Sequence, residues 1–83
     1  SKGGKIYFES PLSSFEMWWE FSGGDALATV TIPNEEQWEV RTKMPLSTRQ
    51  EVLQFIGNQI VADKISAKGS FVVGDSFITF FTG

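Results

Sequence analysis

Ser14-Phe15-Glu16-Met17-Trp18-Trp19-Glu20-Phe21-Ser22 is the stretch on which the fold turns. Set between Ser10-Pro11 and Gly23-Gly24, it can be read as a helix with a serine N-cap, a proline at the first helical position and a glycine stop. Its internal pattern favours a strand. Phe15, Met17, Trp19 and Phe21 alternate with Glu16, Trp18 and Glu20, a period of two that sends large apolar groups to one side and mostly polar groups to the other.

The following residues repeat that parity. A two-residue turn at Gly23-Gly24 sets Phe21 opposite Ala26, Trp19 opposite Ala28, Met17 opposite Val30 and Phe15 opposite Ile32, all apolar. The reverse face pairs Glu20 with Leu27, Trp18 with Thr29 and Glu16 with Thr31, as expected of a sheet with one wet side. Carried one strand further across a short loop at Asn34-Glu35-Glu36, the alternation places Trp38, Val40, Thr42 and Met44 inward. Glu39, Arg41 and Lys43 then form the outward row.

Outside this block, Lys5 to Glu9 reads as a first strand ended by Ser10-Pro11. Ser47-Thr48-Arg49-Gln50 has the capping-box pattern for a helix running to about Lys64. Val52, Leu53, Phe55, Ile56 and Ile60 supply its apolar stripe. Phe71 to Val73 and Phe77 to Phe81 form a closing hairpin about Gly74-Asp75. The expected fold is therefore α+β: a single small domain with an antiparallel β-meander, one long helix packed on one face, and the order ββββαββ. The competing arrangement is a ferredoxin-like βαββαβ order with residues 11–22 helical. Residues 1–4 read as a flexible lead-in and residues 5–83 as the domain.

Composition narrows the chemistry. The 83 residues include eight Phe and three Trp, enough bulk for one core without staples. They include no Cys and no His, which removes disulfides, Cys/His zinc sites, thiol nucleophiles and imidazole bases. No metal or cofactor is expected, and the glycine pairs lack the context of a phosphate cradle. Net charge is −3 with seven scattered cations, which disfavours nucleic acid. No apolar run reaches the roughly 20 residues of a membrane-spanning helix. Glu16 and Glu20, four apart on one strand, stand roughly 13 Å from each other, too far for a paired-carboxylate hydrolase.

What remains is surface. Trp18 is expected on the wet face between Glu16 and Glu20, with Arg41 and Lys43 two strands away and the Arg41 guanidinium within reach of the indole. The plain account is a strand aromatic held by a cation-π contact; the functional one is a docking platform, since exposed Trp and Arg concentrate where partners bind. Phe77 and Phe81 point away from Ile78 and Phe80, making the last strand apolar on both faces. Read as an edge strand, it invites cover by the chain itself or a seam, or acceptor edge, for a second chain. The expected function is a non-catalytic protein-interaction module, self-association into a homodimer included, through a sheet edge or the wet face. The alternative is a small apolar-ligand-binding domain using Trp19, Trp38 and Phe55, and the third is a single-stranded nucleic-acid binder.

Overall fold

The computed structural model of the chain describes residues 3–66 and 68–82. Ser14–Phe21 is a strand, β2, and the residues before it show why no helix starts there. Ser10 accepts on its hydroxyl from the Ser13 N–H at 3.1 Å and the Leu12 N–H at 3.3 Å, closing a tight turn that returns the chain from β1 (Gly3–Glu9). The βαββαβ alternative is thereby excluded. β1 begins within the expected lead-in, since Gly3 and Gly4 already pair with Glu20 and Trp19, while Ser1 and Lys2 lie outside the described residues.

β3 (Ala28–Thr31) pairs with β2 so that Trp19 faces Val30 and Phe21 faces Ala28. That register is two residues from the one a two-residue turn would impose. The connection is wider, with the Ser22 N–H donating to the Leu27 carbonyl at 2.9 Å and Gly24 in the left-handed region at φ 68°. An even shift preserves parity, so every side chain keeps its face although its neighbour changes.

The expected strand over Trp38 to Met44 is instead a helix, α1 (Glu35–Thr42). Asn34 caps it by accepting from the Gln37 N–H at 2.9 Å, while Glu35 and Glu36 sit in the first turn and Arg41 in the last, each with the sign the helix dipole favours. Lys43 closes it at φ 63°, its N–H donating to the Glu39 carbonyl at 3.0 Å. A spacing of four explains why the inward set half-fits both readings. Trp38 and Thr42 fall on one helical face and are buried, whereas Val40, inward in a strand, is exposed.

The long helical run starts with a 3-10 turn at Leu46–Thr48, continues as α2 (Arg49–Ile60) and ends in a π turn at Val61–Ile65. The capping box does not form. Pro45 holds the extended position before the run, Thr48 is already helical, and its hydroxyl donates to the Pro45 carbonyl at 2.7 Å.

β4 (Ser70–Val73) and β5 (Phe77–Phe81) make the expected hairpin, and the sheet runs β1-β2-β3-β5-β4, antiparallel throughout. β5 is therefore not the edge strand expected from its two apolar faces: β3 and β4 pair with it on either side, so the Phe77/Phe81 strand cannot accept another chain's strand, and the edges are β1 and β4. Both helices cover one face. Trp38, Leu53 and Ile56 pack there on Met17, Val30, Ile78 and Phe80, and α2 approaches β4 closely because Gly57 has no side chain to strike the Phe71 ring.

Candidate functional site

Among the described residues no helix covers the opposite face of the sheet, and strand register determines what it displays. One row across four strands reads Lys5, Trp18, Thr31, Phe77, and the next reads Gly3, Glu20, Thr29, Thr79, Val72. With strands about 4.8 Å apart, the Trp18 and Phe77 backbones lie roughly 10 Å from each other, with only a threonine between. Trp18 is 49% exposed, Phe77 46%, and both Tyr7 and Val72 61%.

Five of the seven residues singled out from the sequence therefore share one surface: Glu16, Trp18, Glu20, Phe77 and Phe81. Trp18 and the last strand, reached by separate arguments, belong to a single patch because β5 inserts beside β3. Arg41 and Lys43 do not. Both lie outside the sheet, on and just after α1, and Arg41 reaches the backbone of β2, donating to the Glu16 carbonyl at 3.4 Å.

The cation beside Trp18 is Lys5, whose Nζ lies 5.0 Å from the ring centroid and 3.7 Å from a Glu16 carboxylate oxygen. Both contacts are largely solvated, so they orient these side chains more than they stabilise the fold. Sequence reasoning missed Lys5, Tyr7 and Val72 as members of this face. The signal for the first two was present in the alternation of Lys5-Ile6-Tyr7-Phe8-Glu9, which puts Tyr7 on the side of Trp18 once β1 is known to pair with β2.

Two recesses with partly apolar walls open on the helical side. One, of about 280 Å³, lies between the sheet and the π turn, walled by Trp19, Phe21, Ile60, Ile65 and Phe80, with Lys64 among its lining residues. The other, of about 270 Å³, runs between β1 and α2. Trp38, expected to line a ligand cavity, cannot do so. It is fully buried, edge-on to Phe15 at 5.7 Å between ring centroids.

Among the described residues no cluster of acidic side chains is arranged to hold a metal ion, and no helix is long and apolar enough to cross a membrane. Compared with protein-family models, curated proteins and solved structures, the chain has no match, so its function has to be argued from this geometry alone.

Proposed function

We propose that this domain is a non-catalytic protein-interaction module whose docking surface is the open face of the sheet. The observation that carries this is the cross-strand row in which half-exposed Trp18 and Phe77 flank Thr31. Exposed apolar residues are ordinary when scattered; here register gathers Tyr7, Trp18, Phe77 and Val72 on one rigid sheet, rimmed by Lys5, Glu16 and Glu20. Aromatic anchors inside a charged rim are the usual anatomy of a protein interface. The acidic balance of the chain weighs against a nucleic-acid strand on the same aromatics.

Trp18→Ala and Phe77→Ala should each weaken binding of the domain to its protein partner by about tenfold or more, the size expected of central anchors. Melting temperature should hardly move. Val40→Ala, an exposed apolar truncation on α1, serves as the control in the same binding measurement. Binding that survives both open-face substitutions, or that falls equally with Val40→Ala, removes the reading.

The recess beside the π turn supports a second reading, a small apolar ligand held by Trp19 and Phe21 with Lys64 available to an acidic head group. Its volume exceeds the roughly 150 Å³ cavity that accepts benzene in other proteins. Titration with medium-chain fatty acids should then change Trp19 emission in the wild type and fail to do so in Ile60→Trp, which fills the recess. An unchanged wild-type spectrum at saturating ligand rejects it.

A further inference from the structure

The two edges of the sheet are unequal. At β4, α2 lies directly over the strand, with Gly57 against Phe71. At β1 the helical layer stops short, so Ile6 and Phe8 remain half-buried and a trough of about 270 Å³ separates the strand from α2. Ile6, Phe8 and Met17 line it on the sheet side and Phe55, Ile56 and Ile60 on the helix side, with Glu9, Gln59, Asp63 and Lys64 also among its lining residues. Phe55 is 58% exposed and meets Phe8 edge-on at 6.5 Å. A seven-residue strand at the edge of the sheet, with apolar side chains turned to a trough beside it, is the form that accepts an added strand, whose backbone extends the sheet while alternate side chains fill the trough.

We propose that the added strand is β1 of a second copy of this chain, paired antiparallel about Tyr7. The sequence Lys5-Ile6-Tyr7-Phe8-Glu9 is complementary to itself when reversed. Centred on Tyr7, the pairing sets Lys5 opposite Glu9 of the second copy and Glu9 opposite its Lys5, while Ile6 and Phe8 meet Phe8 and Ile6 on the trough side. Centring on Ile6 or Phe8 loses both charge pairs. The two-fold axis stands perpendicular to the sheet, so both helical layers lie on the same side and the two troughs join. The result is a ten-stranded sheet with an isologous seam, each β1 supplying the apolar alternation that the other's trough requires. The inference rests on the reading of the domain as an interaction module; its seam takes in Lys5 and Tyr7 at the border of the open face and leaves the central anchors Trp18 and Phe77 outside it.

The test uses the intact chain in sedimentation velocity over a dilution series. A reversible monomer–dimer equilibrium is expected, and a chain that stays monomeric at every concentration overturns the proposal. Glu9→Lys, which turns both attractive pairs into like-charge pairs, should weaken the dimer on the order of tenfold, and Lys5→Glu combined with Glu9→Lys should restore it. Unequal folding of these variants does not decide the matter, because a second measurement is independent of charge. The chain has no cysteine, so Tyr7→Cys introduces one thiol at the dyad, where opposed Cβ atoms come within about 4.5–5.5 Å, close to disulfide range. Mild oxidation should link Tyr7→Cys into a covalent dimer and leave Val72→Cys monomeric; equal cross-linking of both sinks the assignment. Trp18→Ala should leave the dimer unchanged, so loss of the dimer and loss of open-face binding are separately visible.

Discussion

Trp38→Ala lowers the unfolding free energy by about 3–5 kcal/mol, the range for removing a large aromatic from a packed core. The ring is wholly buried where α1, α2 and the sheet converge, edge-on to Phe15, and its indole N–H donates to the Pro45 carbonyl at 3.1 Å. Alanine leaves a void and also removes the indole donor from that carbonyl, which keeps the Thr48 N–H and hydroxyl as donors, at the point where the chain turns from α1 into the long helical run. A domain of this size has a total stability of roughly 4–12 kcal/mol, so a large part of the population unfolds near physiological temperature. Urea denaturation followed by far-UV circular dichroism measures the loss. Trp38→Phe, which keeps most of the volume and gives up the hydrogen bond, should cost about 1–2 kcal/mol, and a cost equal to that of alanine would show that the hydrogen bond rather than the packing dominates.

Arg49→Ala is expected to cost about 2–4 kcal/mol, through a different cause. Arg49 is the first residue of α2, where the helix dipole disfavours a cation, and it is nonetheless buried. Its guanidinium accounts for the placement. Nε and Nη2 donate to the Pro33 carbonyl at 3.2 and 3.1 Å, Nη2 donates also to the Asp75 carbonyl at 2.8 Å, and the group lies 6.0 Å from the Trp38 ring centroid. One planar fork thus joins the loop before α1, the start of α2 and the β4–β5 turn. Alanine leaves these carbonyls without that donor, and lysine, a single point charge without the fork, should recover less than half of the loss. Hydrogen exchange at the β4–β5 turn should accelerate in both variants. If Arg49→Ala melts with the wild type, the carbonyl contacts have no energetic weight and this account of the buried cation is wrong.

Both residues matter to the surface by an indirect route. Trp38 and Arg49 hold the helical layer and the β4–β5 hairpin onto the sheet, and the hairpin carries Phe77 and Val72 to the open face. Their substitution should reduce partner binding only in proportion to unfolding, whereas Trp18→Ala should reduce binding in a folded domain.

The alternation in Phe15 to Phe21 determined the strand, the inward side of Phe15 and Met17 and the exposure of Trp18 without any tertiary information, because a period of two has only two faces and one of them is almost wholly apolar; Phe21, on the inward side at the strand's end, is 56% exposed. The closing hairpin and the double-sided last strand were legible from the same local pattern, and the long helix from its apolar stripe at helical spacing. Three features were not. Trp38 to Met44 fits a strand and a helix about equally by hydrophobic pattern, and Asn34 with Gln37 tipped it to helix while β5 filled the place beside β3 that a fourth consecutive strand would have taken. The spatial order of strands decided that Phe77 stands near Trp18 and that β1 is left at an edge, and sequence order is silent on this because antiparallel hairpins can add to either side of a sheet. The partner of Trp18 changed from Arg41 to Lys5 as a consequence, since a side chain's own residue type selects its face but only the packing of whole elements selects its neighbours.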